Sequence, residues 1–270
     1  MIVYPNSKIN IGLQVTGERP DGFHDLETIF YPIQMRDALE VIESERFSFK
    51  TGGLEIEGDS EQNLVVKAYN LVKSDYSLPP VGIYLYKNIP TGAGLGGGSS
   101  DGASMLMLLN ELFHLNISKE KLFEYALSLG SDCPFFLYGK PVFATGRGEI
   151  MEDVNIDLKD YFLILVKPPV HVSTAEAYRS IVPQKSRLSL KGLIAFSVQR
   201  WKGNILNQFE RYVFEQYPEI EKIKQVLYDQ GALFALMSGS GSAVFGLFRS
   251  EKRNLEQCFP ATYKIFRQRL

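Results

Sequence analysis

The sequence predicts a mixed α/β fold in two domains, and three stretches carry that prediction. In the first, Val81, Ile83 and Leu85 alternate as in a half-buried strand, a glycine-dense loop follows, and Met105, Leu106, Leu109, Leu112 and Phe113 then recur at helical spacing. In the second, the run from Tyr161 to Val166 is apolar throughout, as in a strand buried on both faces, and Pro168-Pro169 stops it. In the third, two apolar runs, Leu233 to Met237 and Ala243 to Phe248, flank the glycine turn Ser238-Gly239-Ser240-Gly241-Ser242. The chain has 270 residues, 45% of them hydrophobic and 22% charged, enough for two modest cores. The polar stretch Glu149 to Lys159 sets the expected boundary near residue 156, which gives domains 1–156 and 157–270.

Each element has a local reason. Ile9, Ile11, Leu13 and Val15 alternate as in a strand, Arg19-Pro20-Asp21-Gly22 signals a turn, and Ala38 to Glu43 and Arg46 to Lys50 read as further strands. A helix is expected after Asn63. Another spans Ser118 to Leu129, with Ser118 as its cap, Leu122, Ala126 and Leu129 on one face, and Gly130 closing it. Glu219 to Asp229 reads as a helix closed by Gly231.

Composition excludes several classes. The net charge is −2 with no basic run, which argues against a general nucleic-acid binder or a membrane-surface protein. No segment approaches the roughly 18 uninterrupted apolar residues of a spanning helix. The first residues enter strand-like alternation without a leader pattern, so a cytoplasmic location is expected. Cys133 and Cys258 are isolated and lack metal-ligand spacing, as free thiols in a reducing compartment would be, and no resident metal site is expected.

The glycine loop is the strongest functional signal. Gly92 to Gly98 holds five glycines in seven positions between a strand and an amphipathic helix, so several backbone N–H groups can turn toward one anion at a helix N-terminus. A flexible linker would lack those flanks. A Walker A loop is excluded because no lysine lies between Pro90 and Leu112. Gly92, Gly94 and Gly97 satisfy G-x-G-x-x-G, but the acid expected about twenty residues on falls at Glu111, inside the helix, which does not fit a dinucleotide fold. The protein-kinase motifs are also missing.

Other residues admit two readings. Lys8 and Asn10 lie two apart on a strand and share one face while Ile9 and Ile11 enter the core; Lys8 fits an edge-strand lysine in solvent equally well. Ser131-Asp132-Cys133-Pro134 reads as the start of a short helix, making Asp132 a cap carboxylate. Ser99, Ser100 and Asp101 either cap the helix after the glycine loop or bring a hydroxyl to magnesium or nucleotide phosphates. By themselves, His24 is a loop histidine, Tyr178 a core aromatic, and residues 238–242 a plain hairpin turn.

Three segments, taken together and in order, resemble the GHMP small-molecule kinases: Pro5-Asn6-Ser7-Lys8-Ile9-Asn10, the stretch from Pro90 to Asp101, and Ser238 to Gly246. Within that superfamily Asp21-Gly22-Phe23-His24, the segment Gly130 to Phe136, and Val172 to Tyr178 resemble the 4-diphosphocytidyl-2-C-methyl-D-erythritol kinases of the non-mevalonate isoprenoid pathway. The resemblance implies a two-domain α/β fold, with a ribosomal-S5-domain-2-like N-terminal domain and a ferredoxin-like C-terminal one, and with ATP and substrate meeting in a cleft between them. It implies ATP and Mg2+ as cofactors, and a cytidine-diphosphate-linked methylerythritol as the small-molecule substrate. No nucleic-acid or membrane partner is implied, and the protein is expected to be a monomer or weak homodimer.

The resemblance also implies roles. Asp132 becomes the base for the 2-hydroxyl and Lys8 the charge stabiliser. Gly92, Gly94, Gly96, Gly97, Gly98, Ser99 and Ser100 surround the nucleotide phosphates, and Asn63 and Lys87 lie near the adenosine. Phe23 and Tyr178 sandwich cytosine, His24 hydrogen-bonds the base, and Thr174, Asn10 and Gly239 line the substrate side. Two departures from the family pattern stand out: Phe23 where Tyr is frequent, and Gly102 where Ala is usual, at a cost of about 1 kcal/mol to the helix. Alternatives at this stage are another GHMP kinase of the mevalonate or homoserine type, a non-catalytic sensor on the same scaffold, and a nicotinamide-dependent oxidoreductase.

Overall fold

The computed structural model describes residues 1–184 and 188–270. Along the chain run β1 (Ile2–Val3), β2 (Asn6–Glu18), β3 (His24–Arg36), β4 (Ala38–Glu43), β5 (Ser48–Gly53), α1 (Leu64–Asp75), β6 (Val81–Lys87), α2 (Gly97–Leu112), α3 (Lys119–Leu129) and α4 (Cys133–Tyr138). They are followed by β7 (Val142–Thr145), β8 (Ile150–Asp153), β9 (Phe162–Lys167), α5 (Thr174–Arg179), α6 (Leu190–Leu193), α7 (Phe209–Gln216), α8 (Pro218–Asp229), β10 (Phe234–Met237), β11 (Val244–Phe248) and β12 (Lys264–Arg269).

The chain forms two compact units. One holds residues 1–7, 34–91 and 96–139; the other holds 8–33, 92–95 and 140–270. The long strands β2 and β3, 13 residues each, run from one into the other, which no single cut in the sequence can express.

In the first unit the sheet order is β1-β4-β6-β5. β4 and β6 pair antiparallel from Ala38↔Tyr86 to Glu43↔Val81, while β5 and β6 run parallel, so α1 serves as the crossover that parallel pairing requires. Alternation holds: Leu39, Val41, Val81, Ile83 and Leu85 are buried, whereas Tyr84 and Tyr86 are exposed. α1 starts where expected, with the Asn63 Oδ1 accepting from Val65 N at 2.9 Å. Ser118 likewise caps α3, accepting from Lys121 N at 3.2 Å. The unusual Gly102 has a packing reason, because a Cβ there would stand 3.0 Å from the Leu64 Cβ of α1.

The second unit contains two four-stranded sheets, β2-β3-β7-β8 and β10-β11-β9-β12. The latter is antiparallel throughout, with Val244↔Val166 and Ile265↔Val166 in register, and residues of α7 and α8 cover it. Phe209, Val213, Ile220, Ile223 and Leu227 meet Ile164, Val166, Met237, Val244 and Phe248 in one core, joined by Leu13 and Val15 of β2. β2 departs from simple alternation, since Lys8 and Asn10 are buried along with Ile9 and Ile11. A strand covered on both faces can bury such polar groups only if they are hydrogen-bonded, and these are.

Candidate functional site

β6 leads through residues 88–95, of which 92–95 belong to the second unit, into the N-terminus of α2. Gly96 is the N-cap in a left-handed conformation, φ 70°, and no side chain caps the helix. Ser99, Ser100 and Asp101 therefore do not serve as its caps, and the first-turn N–H groups are not taken up by a capping side chain. Gly98 is exposed, and a Cβ built on it would meet nothing within 4 Å. Gly97 is packed: its Cβ would come within 2.8 Å of the Ile89 Cγ2 and 3.3 Å of the Lys87 Nζ. The Ser100 Oγ is buried with no hydrogen-bond partner on the protein.

Behind this helix terminus lies a buried charge cluster. The Lys87 Nζ donates to the Asp101 Oδ2 at 2.7 Å and to the Asp37 Oδ2, and Lys87 is 2% exposed. The other oxygen of Asp37 accepts from Asn88 N at 2.6 Å and Ile89 N at 2.8 Å, the segment entering the glycine loop. Burial drives the Lys87 ammonium down, but the charges of Asp101 and Asp37 outweigh it and hold its pKa above the ordinary value. Burial also pushes the Asp101 carboxyl up to about 8, against the opposing pull of Lys87. The cluster thus keeps its ammonium and holds one carboxyl protonated near neutrality. Sequence reading missed it, and it occupies the Lys87 ammonium that was expected near adenosine. Asn63 is a helix cap, as described.

Asp132 occupies the N-cap position of α4 and is half-buried, but its side chain makes no capping hydrogen bond. That removes the cap as the reason for a carboxylate there. Burial raises the neighbouring Cys133 thiol to about 12, which makes it inert as a nucleophile at neutral pH.

In the second unit, the Lys8 Nζ donates to the Asn10 Oδ1 at 2.6 Å and to the Gly94 carbonyl at 3.0 Å, and it lies 5.1 Å from the centre of the Phe30 ring. Lys8 is 3% exposed, so the solvent-facing edge lysine is not what forms. The Asn10 Nδ2 donates to the Thr28 Oγ1 at 2.9 Å. Residues 238–242 do form the hairpin turn between β10 and β11, and the turn also lies against the first half of the glycine loop. The Ser238 Oγ donates to the Gly94 carbonyl at 2.9 Å, and a Cβ on Gly94 would run into the Ser238 carbonyl oxygen. At Gly239 a Cβ would sit 3.2 Å from the Gly94 Cα. A Cβ on Gly92 would collide with the His171 ring.

Of the expected base-binding residues, the His24 and Tyr178 rings are brought together, 5.1 Å apart at 31°, and Tyr178 packs edge-on against Phe209 at 4.8 Å. Phe23 is half-exposed, with the Arg147 guanidinium 3.8 Å from the centre of its ring. Arg147 was not anticipated; its only sequence signal is its place in Gly146-Arg147-Gly148, the tight turn between β7 and β8. The Thr174 Oγ1 and Ser240 Oγ are 2.8 Å apart.

Residues 63–140 match the model of the GHMP kinases N terminal domain, and residues 190–265 that of the GHMP kinases C terminal domain. A protein of Bacteroides fragilis named 4-diphosphocytidyl-2-C-methyl-D-erythritol kinase is 54% identical over 267 residues, covering 97% of each chain. The chain belongs to that kinase family. A relative of the same name from Parabacteroides distasonis is 52% identical over 95% of each chain. A crystal structure of a 4-(cytidine 5'-diphospho)-2C-methyl-D-erythritol kinase superposes with a TM-score of 0.82 at 30% identity, covering 99% of this chain and 98% of the other. The α/β fold and the GHMP kinase class expected from the motifs are therefore those of the chain, and a nicotinamide-dependent oxidoreductase is not. Among the described residues no helix is long and apolar enough to cross a membrane, and no cluster of three or more His, Cys, Asp or Glu is placed to hold a metal ion.

Proposed function

We propose that this chain transfers the γ-phosphoryl group of ATP to the 2-hydroxyl of 4-diphosphocytidyl-2-C-methyl-D-erythritol, in the cytoplasm, as a monomer or weak homodimer. The observation that carries the reading is the Lys8 ammonium, buried and tied to Asn10 and to the carbonyl of Gly94 in the glycine loop. A fixed cation tied to a glycine loop suits phosphoryl transfer, because its loose transition state spreads charge over the phosphoryl oxygens. The substrate assignment draws on near-full-length identity with kinases named for it.

The chemistry then divides among the residues. Backbone N–H groups of Gly92, Gly94 and Gly96 to Gly98 hold the phosphates, with Ser99 beside them. Asn63 borders the adenosine, while the buried Lys87 braces, through Asp37, the segment that enters the glycine loop. Asp132 takes the 2-hydroxyl proton as the oxygen bonds to the γ-phosphorus and the bond to the departing ADP oxygen breaks. Lys8 offsets the charge of the transferring group, while Asn10, Thr174 and Gly239 orient the polyol. Cytosine lies against Phe23 and Tyr178, hydrogen-bonded by His24. Magnesium bound with ATP would neutralise phosphate charge, and the unpartnered Ser100 hydroxyl suits it as an oxygen ligand.

The test is product mass after incubation with ATP, magnesium and, separately, the cytidyl substrate, mevalonate and homoserine. One added phosphate on the cytidyl substrate alone is expected. Phosphorylation of mevalonate or homoserine in its place would leave a kinase with the wrong substrate assigned, and ATP left intact with all three would refute the kinase.

A further inference from the structure

We propose that Asn207 is a positioning residue for phosphoryl transfer: it fixes the glycine turn after β10, and that turn fixes the Gly94 carbonyl on which the Lys8 ammonium is anchored. The proposal rests on the reading of Lys8 as the charge stabiliser.

Asn207 lies just before α7, and its backbone is held by the strand that carries Lys8. It forms a parallel bridge with Leu13 of β2, where Leu13 N donates to Leu206 O at 3.0 Å and Gln208 N to Leu13 O at 2.9 Å. Its side chain is buried and fully engaged. The Nδ2 donates to Met237 O at 2.8 Å and to Gly239 O at 2.7 Å, while the Oδ1 accepts from Phe209 N at 3.0 Å. A primary amide of this length supplies both donors and the acceptor from one planar group. Aspartate would instead aim a carboxylate at two carbonyl oxygens. Glu210 also holds the end of β10, accepting from Met237 N at 2.9 Å and pairing with the Lys224 Nζ at 2.6 Å.

The residue between the two carbonyls held by Asn207 is Ser238, which completes the connection. Its Oγ accepts from Asn10 N at 3.1 Å and donates to Gly94 O at 2.9 Å. The Lys8 Nζ reaches the same carbonyl at 3.0 Å. Gly94, at φ 74°, is so close to the turn that a Cβ would meet the Ser238 carbonyl oxygen, so loop and turn cannot shift independently. Two buried donors converging on Gly94 also hold its carbonyl inside the protein, away from an approaching phosphate that it would repel. Displacing the turn therefore moves the anchor of the lysine and the first half of the glycine loop together, whereas residues that only fill the core would not do so.

The experiment compares Asn207→Asp, Asn207→Ala, Ser238→Ala, Lys8→Met and Lys8→Met/Asn207→Asp in the full chain. It reads kcat and the two KM values below the melting temperature of each variant. Asn207→Asp is expected to lower kcat roughly tenfold to a hundredfold and raise KM for ATP. Ser238→Ala, which removes the hydrogen bonds of the Ser238 Oγ with Asn10 N and the Gly94 carbonyl but leaves the Asn207 contacts to the turn, should change the same two constants by less, and it carries the test if the Asn207 variants do not fold. The double variant should be no slower than Lys8→Met alone, since the anchor is irrelevant once the ammonium is gone. A folded Asn207→Asp enzyme with wild-type constants, or effects that multiply independently with Lys8→Met, overturns the proposal. Lys8→Met with normal turnover would remove the reading of Lys8 as well, whereas a crippled Lys8→Met beside an unimpaired Asn207→Asp removes this proposal alone.

Discussion

Gly98→Ala separates phosphate binding from folding more cleanly than any other change in the glycine loop. The methyl would project into space with no protein atom within 4 Å, so no packing is lost. As the second residue of α2, Gly98 is also helical, and Gly→Ala in a helix is worth up to about 1 kcal/mol of added stability. Stability should hold or rise. If the phosphates of ATP approach the first-turn N–H groups, however, that methyl stands in their path. Losing one charge-assisted hydrogen bond of about 1.5 to 3 kcal/mol raises Kd for ATP roughly tenfold to a hundredfold. Titration calorimetry with ATP, and separately with the alcohol substrate, gives the comparison beside a thermal melt. Gly97→Ala is less informative because its Cβ meets Ile89 at 2.8 Å, and Gly94→Ala also forces a side chain into φ 74°. An ATP affinity within twofold of wild type in Gly98→Ala would refute the phosphate cradle.

Three further outcomes follow from the same geometry. Because the Asp101 pKa is raised from 3.8 to about 8, its contribution to stability is complete below about pH 4 and lost as pH rises through about 8. Asp101→Asn should therefore gain stability relative to wild type between those limits and level off above them, and parallel pH profiles in urea melts would contradict this. Lys87→Met strands the carboxylate of Asp37, whose side chain is fully buried, and should cost about 3 to 5 kcal/mol by denaturant unfolding; a loss under 1 kcal/mol would deny the cluster its structural weight. Phe23→Ala should raise KM for the cytidyl substrate by an amount worth roughly 1 to 3 kcal/mol with little change in stability or in KM for ATP, and the reverse pattern in kinetics would place the two ligands the other way round.

The glycine loop, α2, the start of α1, the cap of α3 and the hairpin turn were legible because each is written in consecutive residues: dense glycine, a side-chain oxygen before a periodic run, two apolar stretches around Ser238 to Ser242. β3 was less so, since Pro32 interrupts a run that otherwise alternates. The hidden features join distant segments. Lys87, Asp37 and Asp101 meet only after β6, the junction of β3 and β4, and α2 have packed, and nothing in the sequence links the three. Asn207 sits in an unremarked stretch before α7, and its importance depends on pairing with Leu13. Even Lys8, whose strand was recognised, could not be placed in the interior until Asn10 and Gly94 were seen to hold its ammonium. Asp132 was legible as a carboxylate at a helix start, but only its side-chain geometry showed that it does not cap.

Asp132 is the proton acceptor of the proposed transfer, and the single-turnover rate of Asp132→Asn with ATP and the cytidyl substrate both saturating tests that role most directly. The asparagine keeps the shape and one acceptor but cannot take the hydroxyl proton. Both ligands should bind as in the wild type while phosphoryl transfer slows by roughly 10² to 10⁴, toward the lower figure because proton removal is late in a loose transition state. A folded variant that transfers phosphate at a near-normal rate would contradict the account.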